Sequence, residues 1–368
     1  MRPVSAPLPS QAILEIDLGA VVGNWRGLSA RLAPGSTCAA VVKADAYGLG
    51  AAEVAPALAA AGCRDFFVAQ IDEGVALRGA LPASCRIFVL AGCLPGEAAT
   101  FVAAGLVPVL NDPGQAETWR DFAAQTGRRL DAALHFDTGM SRLGFCGRDA
   151  AALAADPDRL RGIAPVLVMS HLARAEEDAD MNRDQLARFG ALRQRWPSVP
   201  ASLANSSGIF LGPSFQFDLA RPGAALYGIN PLPGRSNPQR ETVSLTAPVL
   251  QIRDIAPPET VGYGATFRAE GPVRVATIGC GYADGLPRSL SGRGHARFAG
   301  KNLPILGRIS MDTAAIDAGQ APGLRVGDRV SLIGDGIALD EVAAVAGTIG
   351  YTLLTGLGRR FVRAYRRP

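Results

Sequence analysis

One lysine stands at the end of an apolar run and just ahead of a glycine-punctuated turn, in Ala40-Val41-Val42-Lys43-Ala44-Asp45-Ala46-Tyr47-Gly48-Leu49-Gly50. An ammonium group closing a buried strand must reach water or find a partner, because burying it unpaired is too costly. Other polar residues recur in the same position after apolar runs: Tyr47, Arg142, His171, Asn205 with Ser206, and Arg221. Taken singly, each has an ordinary explanation: a lysine that snorkels to solvent, a satisfied strand-end histidine, an arginine in a turn before proline. Taken together, they offer an amine nucleophile, aromatic and serine hydroxyls, and two guanidinium groups. An amine forms a Schiff base with a carbonyl, and arginines with hydroxyls suit an anionic or phosphorylated carbonyl compound. That is the group set a pyridoxal phosphate site requires.

Such residues can act together only if the fold brings them to one place. From about residue 18 to about residue 230, short apolar runs alternate with alanine-rich stretches of helical spacing. The runs are AAVVK ending at Lys43, FFVAQ at Gln70, RIFVL at Leu90, VPVL at Leu110, DAALHF at Phe136, PVLVMSHL at Leu172, ASLAN at Asn205 and FDLARPG at Gly223, eight in all. Ahead of them, Asp17 is placed to cap a helix over LGAVVGNWRGLSARLA. Continuous apolar strands alternating with helices predict a parallel sheet covered on both faces. Eight units predict a closed (β/α)₈, TIM-like barrel, whose functional groups sit at the C-terminal ends of its strands. An open doubly wound sheet would carry a glycine fingerprint after its first strand, and KADAYGLG does not match GxGxxG.

After Pro231-Leu232-Pro233-Gly234-Arg235-Ser236-Asn237-Pro238 the texture changes to short β-like runs (SLTAPVLQIRDI, VRVATIGC, RVSLIGD) with one clear helical patch, DEVAAVAGTIG. The expectation is a barrel over residues 12–235 and a mainly antiparallel β domain over 236–368, with residues 1–11 as a candidate part of the latter. The 368 residues are 48% hydrophobic with a formal charge of only +4, which excludes a disordered or strongly nucleic-acid-binding chain. Arginines cluster only in the tail from Arg359 to Arg367. Six cysteines without a CxxC pair read as reduced core residues, with neither a disulfide framework nor a metal site. MRPVSAPLPSQ has no apolar stretch of signal-peptide length and no segment is apolar for long enough to span a membrane, so a cytoplasmic protein is expected.

VVKADAYGLG resembles the cofactor-lysine motif of alanine racemases, pyridoxal phosphate-dependent enzymes of fold type III. HFDTGMSRLGF, MSHLA, NSSG, ARPGAALYGI, VGYGATF, GYADGLPR, GRISMD and TLLTGLGRRFVRAY resemble further segments of that family, in the same order, from about residue 12 to the last tyrosine. The resemblance implies that Lys43 holds the cofactor and serves as base on one face of the substrate, with Tyr263 of the β domain as base on the other. A racemase needs such a pair, since inversion takes the α-proton from one side and returns it on the other. A free phenol titrates near pH 10, and positive charge from His171 and Arg221 is expected to help Tyr263 ionise. The resemblance sets Arg221 against the pyridine nitrogen, where an arginine keeps the ring unprotonated and restrains side reactions.

The resemblance also gives Tyr47, Asn205, Ser206, Tyr351 and the backbone of Gly223 and Ala224 to the cofactor, chiefly its phosphate. Arg142 would bond the cofactor's phenolic oxygen and the substrate; Met311, beside Asp312, would bind the substrate carboxylate through its N–H, and Tyr282 would close the site's mouth. It implies a homodimer in which Tyr263, Tyr282 and Met311 come from the other chain. One departure stands out: many family members have a carbamylated lysine where this chain has His135, and histidine has no amine to carbamylate. Other readings are a racemase of serine, lysine or several amino acids, a related decarboxylase, or a non-catalytic cofactor-binding barrel. A decarboxylase wants a carboxylate at the position of Arg221, and a lone barrel would not carry Tyr263 on a second domain. In the family, D-alanine feeds peptidoglycan synthesis.

Overall fold

The computed structural model describes residue 8, residues 10–177 and residues 179–367. The chain divides into two compact units: Val21–Arg240, and the segment up to Ala20 together with everything from Glu241 onward. Strand β1 (Ile13–Asp17) leads straight into α1 (Leu18–Ser29). Asp17 caps this helix as its position predicts, Oδ1 accepting the Ala20 N–H at 2.9 Å.

The first unit is built on β2 (Thr37–Cys38), β3 (Ala40–Val41), β4 (Asp65–Val68), β5 (Arg86–Val89), β6 (Val107–Leu110), β7 (Leu130–His135), β8 (Ile163–Met169), β9 (Ala201–Ser202) and β10 (Leu219–Ala220). Between them lie α2 (Lys43–Tyr47), α3 (Ala51–Ala60), α4 (Ile71–Arg78), α5 (Ala98–Ala103), α6 (Pro113–Thr126), α7 (Gly147–Ala155), α8 (Asp180–Arg193) and α9 (Pro213–Gln216). Strands β3 to β9 form one parallel sheet in sequence order. Strand β10 pairs with β2, and the Ala39 and Val41 N–H groups donate to Ala220 O and Pro222 O at 2.9 and 3.0 Å. Across the remaining gap the Asp218 N–H meets Ala201 O at 3.0 Å and the Arg221 N–H meets Ala204 O at 2.9 Å. With residues 37–41 counted as one interrupted strand, the circle closes as an eight-stranded barrel. Phe66, Phe67, Phe88 and Val89 are fully buried, which is why these strands read as unbroken apolar runs.

The second unit holds β11 (Val243–Ile255), β12 (Thr260–Val261), β13 (Phe267–Arg268), β14 (Val273–Ile278), β15 (His295–Phe298), β16 (Lys301–Leu306), β17 (Ala314–Asp317), β18 (Arg329–Ile333) and β19 (Val362–Arg366), with α10 (Leu339–Val345) and α11 (Gly350–Gly356). The long β11 pairs with β1 and β18 along its first part and with β14 along its second. The order β14-β17-β16-β15-β18-β11 therefore returns to β14, a small antiparallel barrel. Outside it, β1 lies between β11, antiparallel, and β19, parallel. Among the described residues no helix is long and apolar enough to cross a membrane.

Three differences from the sequence reading have physical causes. Residues 13–17 were expected in the barrel, but backbone pairing on both sides holds them in the antiparallel sheet; of the 1–11 segment, residues 1–7 and 9 lie outside the described residues. Helix α11 was not expected, because GYTLLTG has glycine at both ends and two threonines, all weak helix formers. The parallel strands also stop short of their apolar runs, so Lys43 lies two residues beyond β3 rather than at its end.

Burial alone would raise the Asp17 carboxyl, but Arg366 and the N–H groups of Ala20 and Gly19 outweigh it and hold its pKa below the ordinary value. A carboxylate depressed in the folded chain stabilises above its unfolded pKa of 3.8, and that contribution is lost as pH falls through the folded value. Asp17→Ala should therefore cost about 1 kcal/mol in denaturant unfolding at neutral pH, with the difference from wild type shrinking in acid.

Candidate active site

Lys43 opens a turn of the less favoured hand: Ala44, Asp45, Ala46 and Tyr47 have φ of +52°, +55°, +54° and +57°. Side chains crowd the backbone in this region, at roughly 1–2 kcal/mol per residue. The turn persists because its groups are tied down. Asp45 Oδ1 accepts the Ala51 N–H at 2.7 Å, the Gly48 N–H donates to Ala44 O at 2.7 Å, and Glu73 Oε1 accepts the Ala44 N–H at 2.6 Å. The Tyr47 ring is buried against Tyr227 at 4.7 Å between centroids, and the Tyr227 hydroxyl donates to Val41 O at 3.0 Å.

The turn delivers the Tyr47 hydroxyl to Gly223, where a Cβ would stand 2.3 Å from it. Ser206 Oγ completes the group, accepting the N–H of Gly223 at 3.0 Å and of Ala225 at 3.2 Å. With both lone pairs used, Ser206 has only its proton to offer a further ligand. The Gly223 N–H was expected to face an anion; it is turned to Ser206 instead. Asn205 sits beside this cradle, its Oδ1 accepting the Gly208 N–H at 2.9 Å, and Ala224 opens the turn that follows.

Arg221 is buried, and its guanidinium bonds to the ends of neighbouring strands, at Ser202 Oγ, Ser170 O (2.6 Å) and His171 Nδ1 (3.5 Å). Its guanidinium also lies 5.9 Å from the centre of the Phe67 ring. An arginine can only donate, so His171 Nδ1 accepts and its ring proton belongs on Nε2. Burial, then Arg221 and Arg142, push the His171 pKa well down. This corrects one expectation: His171 is a neutral ring and lends no positive charge. Burial and Arg142 likewise lower the Lys43 pKa and favour the free amine, while Glu73 pulls the other way, toward the ammonium form.

Arg142 is exposed, on a loop shaped by Asp137, whose Oδ1 accepts the N–H groups of Gly139 and Met140 at 2.9 Å and of Ser141 at 3.1 Å. His135 is buried with Nδ1 2.7 Å from Asn111 Oδ1. The Asn111 amide is oriented by its own NH₂, which donates to Leu90 O at 3.0 Å and Val109 O at 2.8 Å. Its oxygen therefore faces the ring, Nδ1 carries the proton, and Nε2 is left as a bare acceptor. Among the described residues no cluster of His, Cys, Asp and Glu is placed to hold a metal ion.

Tyr263, Tyr282, Met311 and Tyr351 belong to the other unit. Tyr263 projects from the turn joining β12 to β13 and is 69% exposed; Tyr282 and Met311 are also exposed. Their segments are packed backbone to backbone. The Tyr282 N–H donates to Ser310 O at 3.0 Å and the Ala283 N–H to Met311 O at 2.9 Å, while a Cβ on Gly281 would stand 2.4 Å from Met311 O. Gly262, before Tyr263, rests on the Arg308 backbone, and Gly285 on the end of α11, the helix that carries Tyr351. Arg360 ties the Tyr282 turn to the Met311 turn through Asp284 at 3.1 Å and Asp312 at 2.8 Å.

The description "Alanine racemase, N-terminal domain" matches residues 16–231, and "Alanine racemase, C-terminal domain" matches residues 242–365. The chain belongs to the alanine racemase family. It is 54% identical over 354 residues to an alanine racemase of Acidiphilium cryptum, covering 96% of this chain and 98% of that one. It is 51% identical over 358 residues to a catabolic alanine racemase of Mesorhizobium japonicum, covering 96% and 93%. The alanine racemase of Bartonella henselae, solved with covalently bound pyridoxal phosphate, superposes with a TM-score of 0.93 at 41% identity, covering 97% of this chain and all (100%) of that one. Within this alanine racemase fold, sequence reading missed Glu73, Asn111 and Ser202. Asn111 could have been found, since it directly follows the run VPVL as the other site residues follow theirs.

His135 has its pKa lowered from 6.5 to about 4 by burial, then Arg221 and Arg142, against Asp137. A histidine depressed in the folded chain stabilises above the unfolded value of 6.5, and the contribution is lost as pH falls toward about 4. Ring ¹⁵N shifts followed against pH should show His135 neutral and protonated on Nδ1 throughout that interval; titration near 6.5 would contradict the assignment.

Proposed function

We propose that this protein interconverts L- and D-alanine with pyridoxal phosphate, using Lys43 and Tyr263 as opposing bases, in a cytoplasmic homodimer whose sites are shared between chains. The observation that carries the reading is the group of polar atoms beyond Lys43, where the Tyr47 hydroxyl and Ser206 Oγ meet at Gly223, whose missing Cβ lets the hydroxyl approach. Its donor chemistry fits a phosphate, with the hydroxyls of Tyr47 and Ser206 and the N–H of Ala224 to hold it, and Tyr351 as a further hydroxyl. Asn205 and His171 would line the remainder.

When bound, the cofactor supplies the electron sink that makes the substrate's α-proton removable. Lys43 binds the cofactor through Nζ and handles the proton on one face; Tyr263 Oη handles it on the other. Arg221 would donate to the cofactor's ring nitrogen, which would leave that nitrogen without a proton. Arg142 orients the cofactor's phenolic oxygen and the substrate, the Met311 N–H receives the substrate carboxylate, and Tyr282 narrows the mouth. Neutral His135 takes the place that the family gives to a carbamylated lysine, accepting from Arg142 at Nε2. The D-alanine formed would supply peptidoglycan.

Circular dichroism of an L-alanine solution should fall to zero with the wild-type protein and persist with Lys43→Ala. Persistence with wild type would turn attention to serine, lysine or decarboxylation. Stripping bicarbonate from the buffer should leave the rate unchanged, and a collapse would overturn the part given to His135. Lys43→Ala and Tyr263→Phe chains, each impaired alone, should recover activity when co-expressed, because one site of a mixed dimer then has both bases. No recovery would remove the shared site.

A further inference from the structure

Glu73 has an ordinary local duty, and the structure shows it doing more. As the third residue of α4 it closes a capping box with Gln70, and its Oε2 accepts the N–H groups of Ala69 at 2.7 Å and Gln70 at 3.1 Å. That motif uses one carboxylate oxygen. The other reaches the neighbouring loop, Oε1 accepting the Ala44 N–H at 2.6 Å, the first N–H after Lys43. One carboxylate thus ties the end of β4 to the left-handed turn that begins next to the lysine.

We propose that Glu73 is a positioning residue for Lys43: it holds the strained turn in its left-handed form, so fixing the direction of the lysine side chain, and places a negative charge beside the amine. The inference rests on the reading that Lys43 carries the cofactor. Four consecutive non-glycine residues at positive φ do not hold themselves there; surrounding bonds must over-determine them. On the Ala44 side that bond is Glu73's. The charge works in the same site, since Arg142 disfavours the ammonium form of Lys43 and Glu73 favours it. His171 also faces the lysine, as a neutral ring.

The test compares wild-type and Glu73→Gln proteins, freed of cofactor, for the rate and affinity of pyridoxal phosphate capture on Lys43, read by absorbance and by mass after borohydride reduction. Glutamine cannot accept at both places, since one oxygen becomes a donor that faces N–H groups. Capture should weaken by about ten-fold or more, the scale of a lost charge-assisted bond. The pH midpoint of the capture rate should also move down, because the negative charge favouring the ammonium is gone. A merely structural part for Glu73 would lower thermal stability without moving that midpoint.

Capture with an unmoved midpoint and wild-type affinity overturns the proposal and leaves the proposed function intact. Failure of wild-type protein to capture the cofactor at Lys43 overturns the proposed function, and this inference with it. Should Glu73→Gln not fold, the same comparison runs between Ala44→Gly and the double variant Ala44→Gly with Glu73→Gln. Glycine takes the left-handed conformation without strain, so there only the midpoint shift is expected; its absence overturns the proposal.

Discussion

Arg221 places a positive charge where water does not reach, and that charge organises the upper rim of the barrel. A guanidinium in such surroundings is tolerable only when its donors are met. The acceptors come from Ser170 and His171 just past β8 and from Ser202 at the end of β9, with the Phe67 ring of β4 within cation–π distance. Arg221 itself follows β10, and between β9 and β10 no regular ladder runs. The side chain thus bridges the seam that backbone pairing leaves thin. Removing it would leave three strand ends without the group that gathers them.

The same charge sets the protonation of the rim. His171 and His135 both feel Arg221 and Arg142, and burial works on each in the same direction, so two histidines that would ordinarily gain protons below neutrality stay neutral. Lys43 lies in the field of Arg142 with Glu73 opposing it. The site is therefore basic by composition and yet rich in neutral acceptors. This suits an anionic ligand: positive charge comes from two guanidinium groups, while proton transfer is left to other groups that can change state.

Much of this was legible in the sequence. The barrel strands announce themselves because burial on both faces demands unbroken apolar runs, and polar residues such as Lys43, His171, Asn205 and Arg221 stand out after them. Asp17 was readable as a cap because capping is local chemistry. What could not be read depends on partners distant along the chain. Ile13–Asp17 is short and half-buried, and only its pairing with β11 and β19 makes it part of the antiparallel sheet. Glu73 looks like any third residue of a capped helix, and its second oxygen gains meaning only when Ala44, 29 positions away, is brought beside it. The neutral state of His171 follows from burial and charge in three dimensions, which no spacing encodes.

The route of the chain through the antiparallel sheet constrains how the protein is made. Strand β1 precedes the barrel along the chain and β19 follows it, yet they are adjacent and parallel. The barrel, by contrast, is one uninterrupted stretch from Val21 to Arg240. Domains fold as units, earlier segments first, during translation. The barrel can therefore form on the ribosome while β1 still waits with an unpaired edge, and its partners arrive only with β11 and finally β19. A chain broken off before Val362 would keep all the barrel residues but leave β1 with an open edge, the kind of surface that invites pairing with another chain.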